Sequence, residues 1–288
     1  MLQSQYKKIK EKFESNQHLW QEKYYRNDYE SLTFQWRQDD CVSLCQKHLH
    51  ANSRILDLGC GCGHASLTLA QLGYNVVGID FCESMVKQAQ RNAEIKNLQK
   101  NCTFKQADFV KDKLTLGSYD GIIALGFIEY FDDPITVLRN IHSLLSVQGI
   151  AVIQIWNRNT ISDRVFSPLY ANYQKLFNPI QIVKRMAKFI LPKPVVEKFR
   201  KPVSLSADKY VYINVTHHRY TPSEFDIIAK KSGFKIIDVR VSHFLPYPFF
   251  FSDNRRIRWD KKLQTMAADN EFIKAQAYNY VAVLRKEL

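Results

Sequence analysis

An open α/β sheet, mostly parallel and with helices on both faces, is the fold class that this 288-residue sequence predicts. Three observations predict it. Apolar β-type runs alternate with amphipathic stretches from Ala51 to Asn157, the pattern of successive βαβ units. The first run, "SRILDLG", is short and continuously apolar at its centre, as a strand buried on both faces must be. Between it and the next amphipathic stretch stands "GCGCGH", a glycine-rich turn at the strand end where such sheets bind ligands.

The elements follow in order. After the first strand, "HASLTLAQLG" has helical spacing and stops at Gly73. "YNVVGID" reads as a strand, "CESMVKQAQRNAEIKN" as a helix, and "CTFKQAD" and "YDGIIALG" as the third and fourth strands. "DPITVLRNIHSLLS" is a helix with Asp133 as N-cap and Pro134 in its first turn, and "GIAVIQIWN" is a fifth strand. The alternation breaks between Arg158 and Val215 and resumes at "TPSEFDIIAKKSGFKIIDVRV". There Thr221 and Glu224 form a capping box around Pro222, and Gly233 ends the helix. A sixth strand follows, and "AYNYVAVLRKE" alternates as a last strand, expected antiparallel.

The glycines do not spell a dinucleotide fingerprint. G-x-G-x-x-G counted from Gly59 meets His64 in sixth place, and counted from Gly61 meets Ser66. What stands there is Asp57 followed by Gly59, Gly61 and Gly63, spacing that lets a backbone approach a ligand closely. Asp80 ends the second strand, Asp108 and Phe109 end the third, and Leu125, Gly126 and Phe127 end the fourth.

Four such motifs in this order resemble the class I S-adenosylmethionine-dependent methyltransferases over residues 50–157, of the small-molecule type that includes ubiquinone-biosynthesis enzymes. The resemblance implies a Rossmann-like, doubly wound, seven-stranded sheet and S-adenosylmethionine as cofactor. It places Asp57, Gly59, Gly61 and Gly63 at the cofactor turn. It assigns Asp80 to the two ribose hydroxyls, to which a carboxylate offers two acceptors. It sets Phe81, Met85, Asp108 and Phe109 around the adenine, and Leu125 with the cofactor at the ligand end of the fourth strand. A leading helix closes over the cofactor in many relatives, so residues 1–50 are expected to form a helical lid region, with Tyr24, Tyr25 and Arg37 as aromatic wall and carboxylate partner.

Methyl transfer is an in-line displacement in which positioning does most of the work, with a general base where the nucleophile carries a proton. Candidates for that base are Glu129 and Tyr130 in "GFIEYF", where related enzymes often have Glu-His, and His218 in "HHRYTP", beside His217 and Tyr220. His243 in "SHFLPYP" is a further candidate.

The six cysteines (Cys41, Cys45, Cys60, Cys62, Cys82 and Cys102) have neither disulfide-scaffold density nor paired zinc spacing. No metal is expected, and Cys60 and Cys62 read as small apolar fillers between glycines.

A formal net charge of +13 favours an anionic partner. Seven Lys/Arg and one acid lie between Gln181 and Lys201, where Val183, Met186, Ala187 and Ile190 fall at helical spacing, a pattern suited to an anionic membrane surface. "NRRIRWDKK" at 254–262 adds a second basic cluster. The polar N-terminus is no secretory signal, and no apolar run reaches the roughly 20 residues of a spanning helix; a cytoplasmic enzyme, peripheral to a membrane through 181–201, is expected.

The chain thus divides into a helical lid region (1–50), a cofactor-binding core (51–157), a helical cap inserted after the fifth strand (158–216) and the rest of the core (217–288). The expected activity is methylation of an O, N or C nucleophile on a small, lipophilic molecule such as a quinone, lipid-linked or natural-product intermediate. Alternatives are an RNA-directed methyltransferase, a cyclopropane-synthase-type enzyme and a non-catalytic cofactor binder. Nucleic acid is disfavoured because no "NPPY"-type motif follows the fourth strand.

Overall fold

A computed structural model describes residues 3–112, 118–160, 164, 217–245 and 252–287. Among them the chain runs α1 (Gln3–Ser15), α2 (Gln17–Lys23), α3 (Tyr29–His48), β1 (Arg54–Leu58), α4 (His64–Gln71), β2 (Asn75–Asp80) and α5 (Glu83–Ile95). It continues with β3 (Cys102–Gln106), β4 (Tyr119–Ala124), a short 3₁₀ turn (Ile128–Tyr130), α6 (Pro134–Leu144) and β5 (Leu145–Trp156). After the insertion come α7 (Pro222–Lys231), β6 (Phe234–Ser242), α8 (Asp253–Ala267), α9 (Glu271–Lys274) and β7 (Asn279–Lys286). The expected cap at 158–216, with its basic stretch 181–201, lies outside the described residues apart from Arg158–Thr160 and Arg164.

The strands form one seven-stranded sheet in the order β3-β2-β1-β4-β5-β7-β6. Neighbours from β3 to β5 are parallel, and β7 runs antiparallel between β5 and β6. The order reverses between β1 and β4, which opens a crevice beyond their carboxyl ends. Side chains alternate across the pleat. Ile55, Ile150 and Val152 face one core with Cys41, Leu44 and Leu67 from α3 and α4, whereas Leu56, Leu58, Ala151 and Ile153 face the other with Leu138 and Ile141 from α6. Burying each such leucine or isoleucine stabilises the fold by about 1.5–3 kcal/mol.

The expected caps are present. Asp133 accepts from the Thr136 amide at 3.1 Å, and the Thr221–Glu224 capping box closes at 3.2 and 2.9 Å. Residues 1–50 divide in two. Cys41, Leu44 and Cys45 of α3 are fully buried against the sheet, so α3 is a core layer; α1 and α2 send Phe13 and Trp20 over Cys62, Cys82 and Met85 beside the glycine turn.

Candidate active site

A cavity of about 590 Å³ runs across the carboxyl ends of the strands. Its first half is built by the glycine turn. Gly59, Gly61 and Gly63 have φ of +71°, +52° and +82°, and the Gly59 and Cys60 amides donate to Ile79 O at 2.9 and 3.0 Å. The three glycines have different duties. A Cβ on Gly59 would lie 2.9 Å from the Phe127 ring and one on Gly63 2.7 Å from Phe104, whereas one on Gly61 would meet nothing within 4 Å. Gly61 lines the cavity, so its missing side chain leaves the backbone open to a ligand. Gly63 does not line it and serves packing at the start of α4.

Asp80 sits under this turn, 8% exposed, with Oδ2 accepting from the Gly61 amide at 2.9 Å and Oδ1 from the Cys82 amide at 2.8 Å. Burial raises its pKa despite those amides. Asp57 accepts from Ser66 Oγ at 2.5 Å, and burial, aided by the charge of Asp80, pushes its carboxyl up to about 7. The Asp108 carboxylate caps its own loop, accepting from the Val110 and Lys111 amides at 3.1 and 3.3 Å. Phe81, Met85, Asp108, Phe109 and Leu125 all line the same half of the cavity. A turn open at Gly61, a buried carboxylate beneath it and an apolar wall fit a nucleoside-bearing cofactor.

The second half lies beyond β4 and β5. Glu129 and Tyr130, in the 3₁₀ turn, line it. Glu129 is 2% exposed. Its Oε1 accepts from Trp156 Nε1 at 3.1 Å, and its Oε2 is buried with no hydrogen-bond partner among the described residues. Burial pushes the carboxyl up to about 7, against the attraction of Arg37. Burial and the charge of Glu129 raise the Tyr130 phenol, which packs against Phe13 and His217.

Arg37 and Trp156 line the cavity, and the buried Gln154 joins Arg37, from elements far apart in sequence. The amide oxygen of Gln154 accepts from the Gly126 main chain at 2.9 Å and from Arg37 Nη1 at 3.4 Å. Gln154 and Trp156 are two apart on β5, so one residue steadies the guanidinium and the next but one donates to the carboxyl. Arg37 is buried, with its guanidinium 4.6 Å over the Phe34 ring. Sequence reasoning passed over Gln154 and Trp156; the one available signal was a glutamine inside the apolar run "AVIQIW".

The histidines sort differently from expectation. His218 does not line the cavity: Nε2 lies 3.0 Å from Asp132 Oδ1 at the surface, and its main-chain N–H donates to Glu129 O at 2.8 Å. Its neighbours His217 and Arg219 do line it. Tyr220 N donates to Trp156 O at 3.0 Å. The segment is thus extended and held to the main chain beside it, so alternate side chains point in and out. His243 lines the far end, in the left-handed region at φ +63°, with its ring 4.8 Å from Tyr278 and 5.8 Å from Tyr29. Of the expected aromatic wall, Tyr24 lines the cavity, stacked on His64 at 4.1 Å, while Tyr25 is 63% exposed. All six cysteines are free thiols and buried, and among the described residues no group of His, Cys, Asp and Glu could hold a metal ion.

Comparison with known proteins points to methyltransferases. Residues 49–190 match the family described as methyltransferase domain. The chain is 33% identical over 127 residues to a malonyl-[acyl-carrier protein] O-methyltransferase of Bacillus cereus, a match covering 43% of this chain and 44% of that one. It is 30% identical over 147 residues to a ubiquinone biosynthesis O-methyltransferase of Psychrobacter cryohalolentis, covering 49% and 55%. The chain thus spans about half the length of the curated relatives it matches. Among solved structures it resembles the magnesium protoporphyrin IX methyltransferase of Synechocystis with bound SAH, with a TM-score of 0.61, 16% identity and coverage of 97% and 98%. At that identity the likeness concerns the fold.

Proposed function

We propose, from the match of residues 49–190 to the methyltransferase-domain family, that the chain is an S-adenosylmethionine-dependent methyltransferase of a small, lipophilic molecule with an ionisable O–H, N–H or C–H. The observation that carries this reading is the continuity of one cavity from Gly61 and Asp80 to Glu129. A cofactor-binding end and a proton-accepting end open into the same space.

S-adenosylmethionine, when bound, supplies a methyl group activated on a sulfonium. The chain's residues do the rest. The Gly59–Gly63 turn and Asp80 hold the nucleoside, with Phe81, Met85, Asp108, Phe109 and Leu125 around its base. Arg37, steadied by Gln154 where the two halves meet, offers a cation to the cofactor's carboxylate. Glu129 takes the acceptor's proton. With its pKa near 7 it is substantially ionised at neutral pH yet basic enough to hold a proton, and such a base contributes about 10²- to 10⁴-fold. Tyr130, His217, Trp156, His243 and Tyr278 give the acceptor end an aromatic lining suited to a planar apolar ligand. The acceptors named for the two curated relatives, a malonyl group on a carrier protein and a ubiquinone precursor, are proposals for this chain.

The test is calorimetric titration of S-adenosylmethionine into the wild-type chain and Asp80→Asn, followed by transfer of labelled methyl to quinol and acyl acceptors. Asp80→Asn should bind at least tenfold more weakly, through loss of a charge-assisted pair of hydroxyl contacts. Equal affinity would remove Asp80 from the pocket assignment. No binding by the wild-type chain would end the reading.

A further inference from the structure

The described basic cluster at 254–262 sits on α8, and the two faces of that helix have different duties. On the inner face, Arg256 is 2% exposed, its guanidinium 3.6 Å from the Tyr29 ring centre. Asp260 is fully buried. It accepts from the Tyr29 hydroxyl and from the Phe244 and Leu245 amides at 3.0 and 3.3 Å. Tyr29 lines the acceptor end of the cavity. The helix is therefore fastened to the wall of that chamber.

On the outer face, Arg255, Trp259, Lys262 and Met266 follow at i, i+4, i+7 and i+11, one stripe along the helix. Trp259 is 50% and Met266 46% exposed, and Lys262 Nζ stands 5.3 Å from the Trp259 ring centre. Arg258 and Lys261 are exposed beside the stripe. Both acids of the helix are engaged elsewhere: Asp260 is buried, and Asp253 accepts from Tyr29 N and Arg256. Phe272, in the short α9 that follows, is 69% exposed, and its neighbour Glu271 pairs with Lys274.

We propose that the outer face of α8 docks on an anionic lipid bilayer, its cations on the headgroups and Trp259 and Met266 at the acyl boundary. Four cations without a carboxylate among them complement a negative leaflet. Half-exposed tryptophan and methionine on the same ridge are what an interfacial helix inserts. A polyanion bound through charge alone has no use for Met266. The docked helix would set the acceptor end of the cavity beside the membrane from which a lipophilic acceptor comes; that last step rests on the proposed activity, while the docking itself does not.

The experiment is flotation of the full chain with phosphatidylcholine vesicles, with and without phosphatidylglycerol, read without cofactor or acceptor so that its result is independent of methyl transfer. The triple variant Arg255→Gln, Arg258→Gln, Lys262→Gln touches only exposed side chains, and an unchanged melting temperature confirms its fold. Each lost cation costs about fivefold, so the variant should bind anionic vesicles about a hundredfold more weakly. Wild-type tryptophan emission should shift to the blue on those vesicles and Trp259→Phe should lose that shift. Equal binding by wild type and triple variant, equal recovery on neutral and anionic vesicles, or a blue shift retained in Trp259→Phe would overturn the proposal. Binding to RNA or an acidic protein but not to vesicles would also overturn it.

Discussion

Replacing Glu129 by glutamine should stabilise the protein in alkaline buffer while it slows the reaction. Burial raises the Glu129 carboxyl from 4.5 to about 7. Between those two pH values the folded chain keeps a proton that the unfolded chain releases, so stability falls as pH rises through the window and is flat on either side. The difference, 7 − 4.5 = 2.5, at 1.36 kcal/mol for each pH unit, amounts to about 3 kcal/mol. Glutamine has the shape of the protonated acid at every pH and keeps an oxygen for Trp156 Nε1. Its variant should match wild type below about pH 4.5 and exceed it by about 3 kcal/mol above about pH 7. At about 2–4 °C per kcal/mol for a large domain, the melting temperature rises by roughly 6–12 °C. Asp57 also titrates near 7, but it is common to both proteins and cancels in the difference. The assay is thermal unfolding of both proteins from about pH 4 to about pH 8.5, alongside methyl transfer, which should fall by about 10²- to 10⁴-fold. A stability difference independent of pH, or a variant less stable than wild type in alkali, would refute the reasoning.

Two further comparisons separate roles that the sequence alone runs together. Gly61→Ala should fold with a loss of about 1–2 kcal/mol from its left-handed backbone, because its Cβ meets nothing, but should bind S-adenosylmethionine poorly by calorimetry. Gly59→Ala should lose more stability in denaturant melts, since its Cβ must also displace the Phe127 ring. His218→Ala should change kcat/KM by no more than about twofold, because its ring meets Asp132 at the surface and its main-chain bond to Glu129 survives the substitution. A loss of a hundredfold or more in that variant would return His218 to the chemistry.

Much of the half around the glycine turn was legible because each of its signals is local. A glycine at positive φ, an acid at a strand end and an N-cap are decided within a few residues, and their spacing survives folding unchanged. The 3.6 and 2.0 periodicities likewise placed the strands and helices, down to the capping box at Thr221. The half around Glu129 was less legible because its parts come from distant segments. Arg37 was legible as a carboxylate partner but not as a neighbour of Glu129, and Gln154 and Trp156 belong to a strand that reads as core. The choice between His217 and His218 was not available from their adjacency. It depended on which main-chain groups held the segment to Glu129 and Trp156, which set the side that each ring faces.

By itself, then, the sequence determined the alternating strands and helices from β1 to β5, the turn after β1 and the carboxylates at the ends of β1, β2 and β3, since these follow from backbone sterics and hydrophobic periodicity. Tertiary structure alone decided that Glu129 is held near neutrality, that Gln154 steadies Arg37, and that the basic cluster at 254–262 turns Arg256 inward and Trp259 outward. The physical reason is desolvation. A charge has its pKa and its partners set by whatever surrounds it in space, and around Glu129 those surroundings come from β5, from α3 and from the turn after β4 at once.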